Sequence, residues 1–101
     1  MQIDVGIIGG TGIGDRLAAM GGKSVHIPTS YGVLRGLYIT WAGTRLLLIR
    51  RHNAGHKVPP HKVNYHAMTD GLKRLGAKAC LSSAAVGSVR PEWGAGTLVN
   101  C

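Results

Sequence analysis

Residues Ile3-Asp4-Val5-Gly6-Ile7-Ile8 run directly into Gly9-Gly10-Thr11-Gly12. A short apolar run that meets a glycine cluster is the pattern of a buried strand ending in a turn. The turn exposes backbone N–H groups and one hydroxyl at the strand's carboxyl end, where open α/β sheets hold their ligands. Taken alone, the tetrapeptide fits an anion-binding turn and a plain tight turn equally well.

Two nucleotide signatures can be tested against these residues. A G-x-G-x-x-G match from Gly10 would need glycine at Asp15, and one from Gly12 would need it at Leu17. The acid that would hold a ribose diol about twenty residues on is missing, since nothing acidic lies between Asp15 and Asp70. Gly22-Lys23-Ser24 resembles the end of a Walker loop, but its leading glycine would fall on Leu17, and few carboxylates are present to hold Mg²⁺. Dinucleotide binding and nucleotide hydrolysis are both disfavoured.

Outward from this stretch, the pattern predicts a strand over Lys23–Ile27 stopped by Pro28 and a Ser30-Tyr31-Gly32 turn. Arg35–Trp41 alternates Leu37, Ile39 and Trp41 against Tyr38 and Thr40, a half-buried strand. Ala42-Gly43 turns it into Arg45–Ile49, so residues 35–49 form a hairpin. A His-rich polar loop, Arg50–Pro60, follows. Over His61–Leu75, the residues Val63, Ala67, Met68, Leu72 and Leu75 fall on one helical face, and Gly76 is the stop. Gly71 inside that helix costs about 1 kcal/mol against alanine. Lys78–Ser82 reads as a strand entering the small residues Ser83–Ser88, and Thr97–Cys101 as the start of another. A strand at the very end has no cap or docking helix, so the 101 residues are expected to be a piece of a longer domain.

The composition is that of a globular chain, 45% hydrophobic, with an aliphatic core because Phe is absent. No apolar run is long enough to cross a bilayer, and Asp4 interrupts the first one, unlike a secretory signal. A soluble, cytoplasmic protein without membrane partners is the plain reading. Cys80 and Cys101 belong to no CxxC pair and are expected to be buried free thiols. The formal charge is +8, and no acid occurs from Arg16 through Thr69. Nucleic acid or a small anion could answer such a charge. The basic stretch lacks aromatic interleaving apart from Tyr65, which favours the small anion.

Arg51-His52, with His56 four residues on, directly follows a predicted strand. An arginine fork matches phosphate oxygens and a neighbouring His adds a donor; a solvated charge pair is the other reading of Arg50-Arg51. His52, His56, His61 and His66 fit no standard metal-site spacing, prolines interrupt them and no acid is near, so no metal is expected.

Together, Ile7-Ile8-Gly9-Gly10-Thr11-Gly12, then Arg51-His52 with His56, then Pro60-His61-Lys62-Val63-Asn64-Tyr65-His66-Ala67, then Ala84-Ala85-Val86-Gly87-Ser88 are similar in order and spacing to the methylthioadenosine phosphorylase family. That family lies within the purine nucleoside phosphorylase group. The resemblance covers the whole chain as the amino-terminal part of one domain, residues 1–101. It implies an α/β fold, a mixed central sheet with flanking helices in three α/β/α layers, incomplete in this chain. It implies a homotrimer or higher assembly, and phosphorolysis of a purine nucleoside, above all 5′-methylthioadenosine, to free purine and ribose 1-phosphate. Inorganic phosphate is then the co-substrate, with no metal or organic cofactor. Carried over residue by residue, the phosphate pocket falls on Thr11, Arg51, His52, Ala84 and Ala85, with His56 toward the sugar. The base-binding and base-protonating residues would lie outside these 101. Asn53 stands where the family usually has Gly, Met68 where it has Asn, and Ala84 where Thr or Asn is common. Two rival readings remain, a nucleoside hydrolase on the same scaffold and a non-catalytic basic anion- or nucleic-acid-binding module.

Overall fold

The computed structural model describes residues 1–51 and 62–100, with backbone alone at Thr11 and Ile13. Five strands and two helices follow in chain order. These are β1 (Val5–Gly9), α1 (Thr11–Ala18), β2 (Lys23–Thr29), β3 (Gly32–Trp41), β4 (Thr44–Arg50), α2 (Tyr65–Arg74) and β5 (Ala79–Ser82). The strands form one sheet in the order β2-β3-β4-β1-β5. β2, β3 and β4 pair antiparallel as a meander, while β4, β1 and β5 pair parallel. The sheet is therefore mixed, as expected.

Strand alternation feeds two cores. Ile8 of β1, Val25 and Ile27 of β2, Leu34 of β3 and Leu47 and Ile49 of β4 meet Met68 and Leu72 of α2. On the opposite face Ile39, Leu46 and Leu48 meet Val5, Ile7, Leu37 and the α1 residues Leu17 and Ala18. One helix thus covers each face, which gives the three layers. β4 is buried on both sides: Leu46, Leu47, Leu48 and Ile49 are all at most 7% exposed, so its continuous apolar run suits a central strand. No described helix is long and apolar enough to cross a membrane.

Local rules set the ends of the elements. Asn64 caps α2, its Oδ1 accepting from Ala67 N–H at 3.1 Å. This capture starts the helix at Tyr65 rather than in the preceding residues; His61 lies outside the described ones. At the other end Gly76, with φ +74°, donates to Lys73 and Ala77 to Leu72, the paired bonds of a Schellman stop. Ala42 (φ 49°) and Gly43 (φ 78°) make the two-residue β3–β4 turn. Positive φ at both positions matches the twist of a hairpin.

Several expectations are corrected. Thr11–Ala18 is a helix where the glycine-rich stretch suggested only a turn. Its low-propensity Gly12 and Gly14 and its uncapped start hide it from pattern reading. β2 continues through Pro28 to Thr29 because it is an edge strand, where a missing N–H costs no ladder bond. Trp41 is 59% exposed, lying at the hairpin end. Cys80 is exposed because neither buried cluster among the described residues reaches β5, all four of whose residues are open to solvent; Cys101 lies outside the described residues. Residues 97–100 form no strand, since no described residue pairs with them. Met68 is 6% exposed and belongs to the α2 core, which accounts for an apolar residue there.

Two glycines let the α2 layer approach the sheet. A Cβ on Gly6 would lie 2.7 Å from one Leu72 methyl, closer to the other, and 3.1 Å from Leu72 Cγ. A Cβ on Gly71 would strike one methyl of Leu34 and stand 3.4 Å from its Cβ and Cγ. The second clash involves a single methyl and is partly offset by alanine's higher helix propensity, about 1 kcal/mol. Gly6→Ala should therefore destabilise by about 1–3 kcal/mol and clearly more than Gly71→Ala. Urea unfolding of the two variants checks this; an equal or reversed order would contradict the packing.

At the amino ends of the parallel strands, Asp4 acts as a knot. Its carboxylate accepts from Arg45 Nη2 at 3.0 Å, Arg45 Nε at 3.2 Å and Arg45 N–H at 2.9 Å. Asp4 N–H donates to the Arg45 carbonyl and Lys78 N–H to the Asp4 carbonyl, both at 2.9 Å. β1, β4 and β5 are thereby tied together at one level. The Arg45 side-chain and backbone bonds hold the Asp4 pKa down at about 2, against an ordinary value of 3.8. The anion is the bound form, so its stabilisation is whole above 3.8 and is lost as pH falls toward 2. Thermal melts should show Asp4→Asn less stable than the parent at neutral pH, with the difference closing between these two values. A constant difference down to pH 2 would contradict the assignment.

Candidate functional site

The three parallel strands end side by side, and their ladder continues past the last strand residues. Arg51 N–H donates to the Gly9 carbonyl and Ser83 N–H to the Ile8 carbonyl, each at 3.0 Å. The ends of β1, β4 and β5 are therefore held level at the carboxyl edge of the sheet, the edge where open α/β sheets bind ligands.

Past β1 the chain passes through Gly10, the N-cap of α1, with extended backbone (φ −76°, ψ −168°) and no side-chain cap. The first intrahelical bond runs from Gly14 N–H to the Gly10 carbonyl at 3.0 Å. The N–H groups of Thr11, Gly12 and Ile13 thus lack acceptors within the helix, and the helix dipole adds roughly half a positive charge there. The backbone donors expected of this glycine stretch therefore belong to a helix start rather than to a plain turn.

Arg51 follows β4 and is half-buried. Its Nη2 donates to the Ser83 carbonyl and lies 3.4 Å from Ser82 Oγ. Its Nη1 would be 3.8 Å from a Cβ on Gly10. The guanidinium thus lies across the end of β1, between the start of α1 and the segment that leaves β5. None of the ion pairs among the described residues involves Arg51. A guanidinium beside a helix amino terminus is a concentration of positive potential, and an anion placed there would relieve it.

Of the residues expected to hold phosphate, Thr11 is the first residue of α1, Arg51 lies beside it, and Ala84 and Ala85 follow Ser83 directly and are exposed. His52 and His56 lie outside the described residues. Sequence reading passed over Ser82 and Ser83, the partners of Arg51. Their signal was available, two small polar residues ending a predicted strand. Among the described residues no group of three or more His, Cys, Asp or Glu could hold a metal ion.

No family model matches the sequence. The chain is nonetheless similar over nearly its whole length to known nucleoside phosphorylases. It is 38% identical over 101 residues to the S-methyl-5′-thioadenosine phosphorylase of Hyperthermus butylicus, covering 98% of this chain and 37% of that protein. It is likewise 38% identical to the purine nucleoside phosphorylase of Streptomyces coelicolor, covering 98% of this chain and 35% of that one. Among solved structures, the methylthioadenosine phosphorylase of Schistosoma mansoni in complex with adenine superposes with a TM-score of 0.80. That match has 29% identity and covers 92% of this chain and 34% of the other. The mixed sheet with its two helices is a segment of the phosphorylase fold. The chain thus resembles, in sequence and in fold, the amino-acid segment of methylthioadenosine and purine nucleoside phosphorylases that it aligns with. It spans a little over a third of the length of the curated relatives it matches.

Proposed function

We propose that this segment supplies the phosphate-binding part of a purine nucleoside phosphorylase that cleaves 5′-methylthioadenosine with inorganic phosphate. The observation that carries the reading is the Arg51 guanidinium, laid between the α1 amino terminus and Ser83 with no carboxylate partner among the described residues. In this reading the backbone at Thr11 and the Ala84-Ala85 segment donate to the anion from two sides. Arg51 and His52 supply charge and fork, and His56 lies toward the sugar. The absence of a side chain beyond Cβ at Ala84 and Ala85 leaves room for close backbone approach.

Such a site would work by placement. A nucleoside losing its base develops positive charge at the anomeric carbon. Phosphate held beneath that carbon is both the nucleophile and the compensating charge, so orientation and electrostatics lower the barrier without a metal or organic cofactor. The carbon–nitrogen bond breaks with its electron pair going to the purine, a phosphate oxygen bonds to the anomeric carbon, and the proton that hydrogen phosphate gives up balances the one the departing purine takes up. The base-reading groups would come from the remainder of a cytoplasmic enzyme that assembles as a trimer or higher homo-oligomer.

Steady-state kinetics of the enzyme carrying this segment test the proposal. Arg51→Ala should raise the KM for phosphate by about 10- to 100-fold, the worth of a charged hydrogen-bonding partner, with a much smaller effect on the KM for nucleoside. Purine release should require phosphate and yield the sugar 1-phosphate. Cleavage to free sugar, indifferent to phosphate, would establish the hydrolase instead. The isolated 101 residues should bind phosphate but release no measurable purine, and turnover by them alone would refute the division of the site.

A further inference from the structure

The sheet face beside α1 carries a second concentration of positive charge that the phosphate reading leaves unused. α1 sits mainly over β1 and β4, so among the described residues the β2–β3 part of this face is less covered. Val25 and Ile27 enter the α2 core, so Ser24 and His26 point to the opposite, α1 side. Arg35 and Leu37 of β3 share that face, as do Leu48 and Arg50 of β4. His26 and Arg35 are register partners. Leu37 and Leu48 are register partners as well, and Arg35 and Arg50 lie two residues beyond them on the same side. Three basic side chains are therefore aligned across three neighbouring strands.

Arg35 and Arg50 are like charges facing one another across the sheet, an arrangement that destabilises it. Among the described residues one acid answers them: Asp15 Oδ1 lies 3.6 Å from Arg50 Nη2, with both side chains exposed. A surface pair of that kind is weak and readily exchanged. Beside the row is a groove of about 400 Å³ lined by Ala18, Ser24, Arg35, Leu37, Leu48 and Arg50. Its floor is apolar, with Leu48 only 1% exposed, and its size falls among small-molecule sites.

We propose that this groove is a second anion site, which takes a phosphate monoester carried on a flat apolar body. The phosphate sits between the forks of Arg35 and Arg50, with His26 beside them. The apolar body lies on Leu37, Leu48 and Ala18, and the Ser24 hydroxyl offers one further hydrogen bond. The site is separate from the strand-end one because consecutive residues diverge. Arg50 reaches toward α1 and β3, whereas Arg51 reaches across β1 to β5.

Phenyl phosphate is the probe, titrated into the isotope-labelled 101-residue chain and followed by NMR. Saturable shifts at Ala18, Ser24, Leu37 and Leu48 are expected. Arg35→Gln or Arg50→Gln should weaken binding about tenfold or more, while Arg51→Ala should leave it within about twofold. Inorganic phosphate, which has no apolar body, should perturb these four residues more weakly. Without ligand, Arg35→Gln should melt no lower than the parent, because it removes repulsion. The proposal is overturned if shifts are confined to Gly9–Thr11 and Ser83–Ala85, or if affinity ignores the Arg35 and Arg50 changes. Equal affinity for phenyl and inorganic phosphate, or no saturable shift, would overturn it as well.

Discussion

The parallel hydrogen-bond ladder β4-β1-β5 is the constraint on which the rest depends. It puts Val5 opposite both Leu46 and Ala79, and holds that register until Ile8 meets Ile49 and Ser82. Beyond the strands, Arg51 still bonds Gly9 and Ser83 still bonds Ile8. Three chain segments far apart in sequence therefore arrive at one edge at the same height. At the other edge Asp4 ties the starts of the same strands through Arg45 and Lys78. Polar bonds thus fix both ends of the ladder, and aliphatic packing holds its middle.

The helices follow from the sheet. β1 must pack closely under Leu72, and only the bare Gly6 allows it. Gly71 does the same for the approach of α2 to Leu34, which explains a residue poorly suited to a helix interior. The β2–β3 turn is bound to the same helix. Asn64 Nδ2 donates to the Tyr31 carbonyl at 2.7 Å, Asp70 accepts from Ser30 N–H at 3.1 Å, and Arg74 Nη2 reaches Ser30 Oγ at 2.8 Å. Tyr31 stacks on His66 with centroids 5.0 Å apart. One asparagine therefore both caps α2 and anchors the hairpin.

The surplus of positive charge is unevenly placed. Asp4, Asp70 and Glu92 pair with Arg45, Arg74 and Arg90 at 3.0 Å or less. Arg51 bonds to a carbonyl instead, and Arg50 has only the long contact with Asp15. At the end of β4 two consecutive arginines therefore stand without a close acid among the described residues, Arg51 directed one way and Arg50 the other. Such potential attracts anions and raises their local concentration.

The sequence by itself determined whatever depends on neighbours along the chain. The first strand and its glycines, the β3–β4 hairpin, the Val63–Leu75 apolar stripe and the Gly76 stop are all local patterns of period, turn chemistry and cap. The motifs that carry the family resemblance are local too. Only the tertiary structure decided where each strand lies in the sheet. That placement left Cys80 exposed beyond either buried cluster among the described residues, let Pro28 remain inside an edge strand, and buried both faces of β4. It also made the glycine stretch the start of a helix, because Leu17 and Ala18 gain a sheet to pack on that no propensity scale foresees. Above all, it brought Arg51 to Gly10 and Ser83. Nothing in the spacing of residues 10, 51 and 83 specifies contact, because parallel strands are joined by long crossovers and their alignment is set by packing across the sheet.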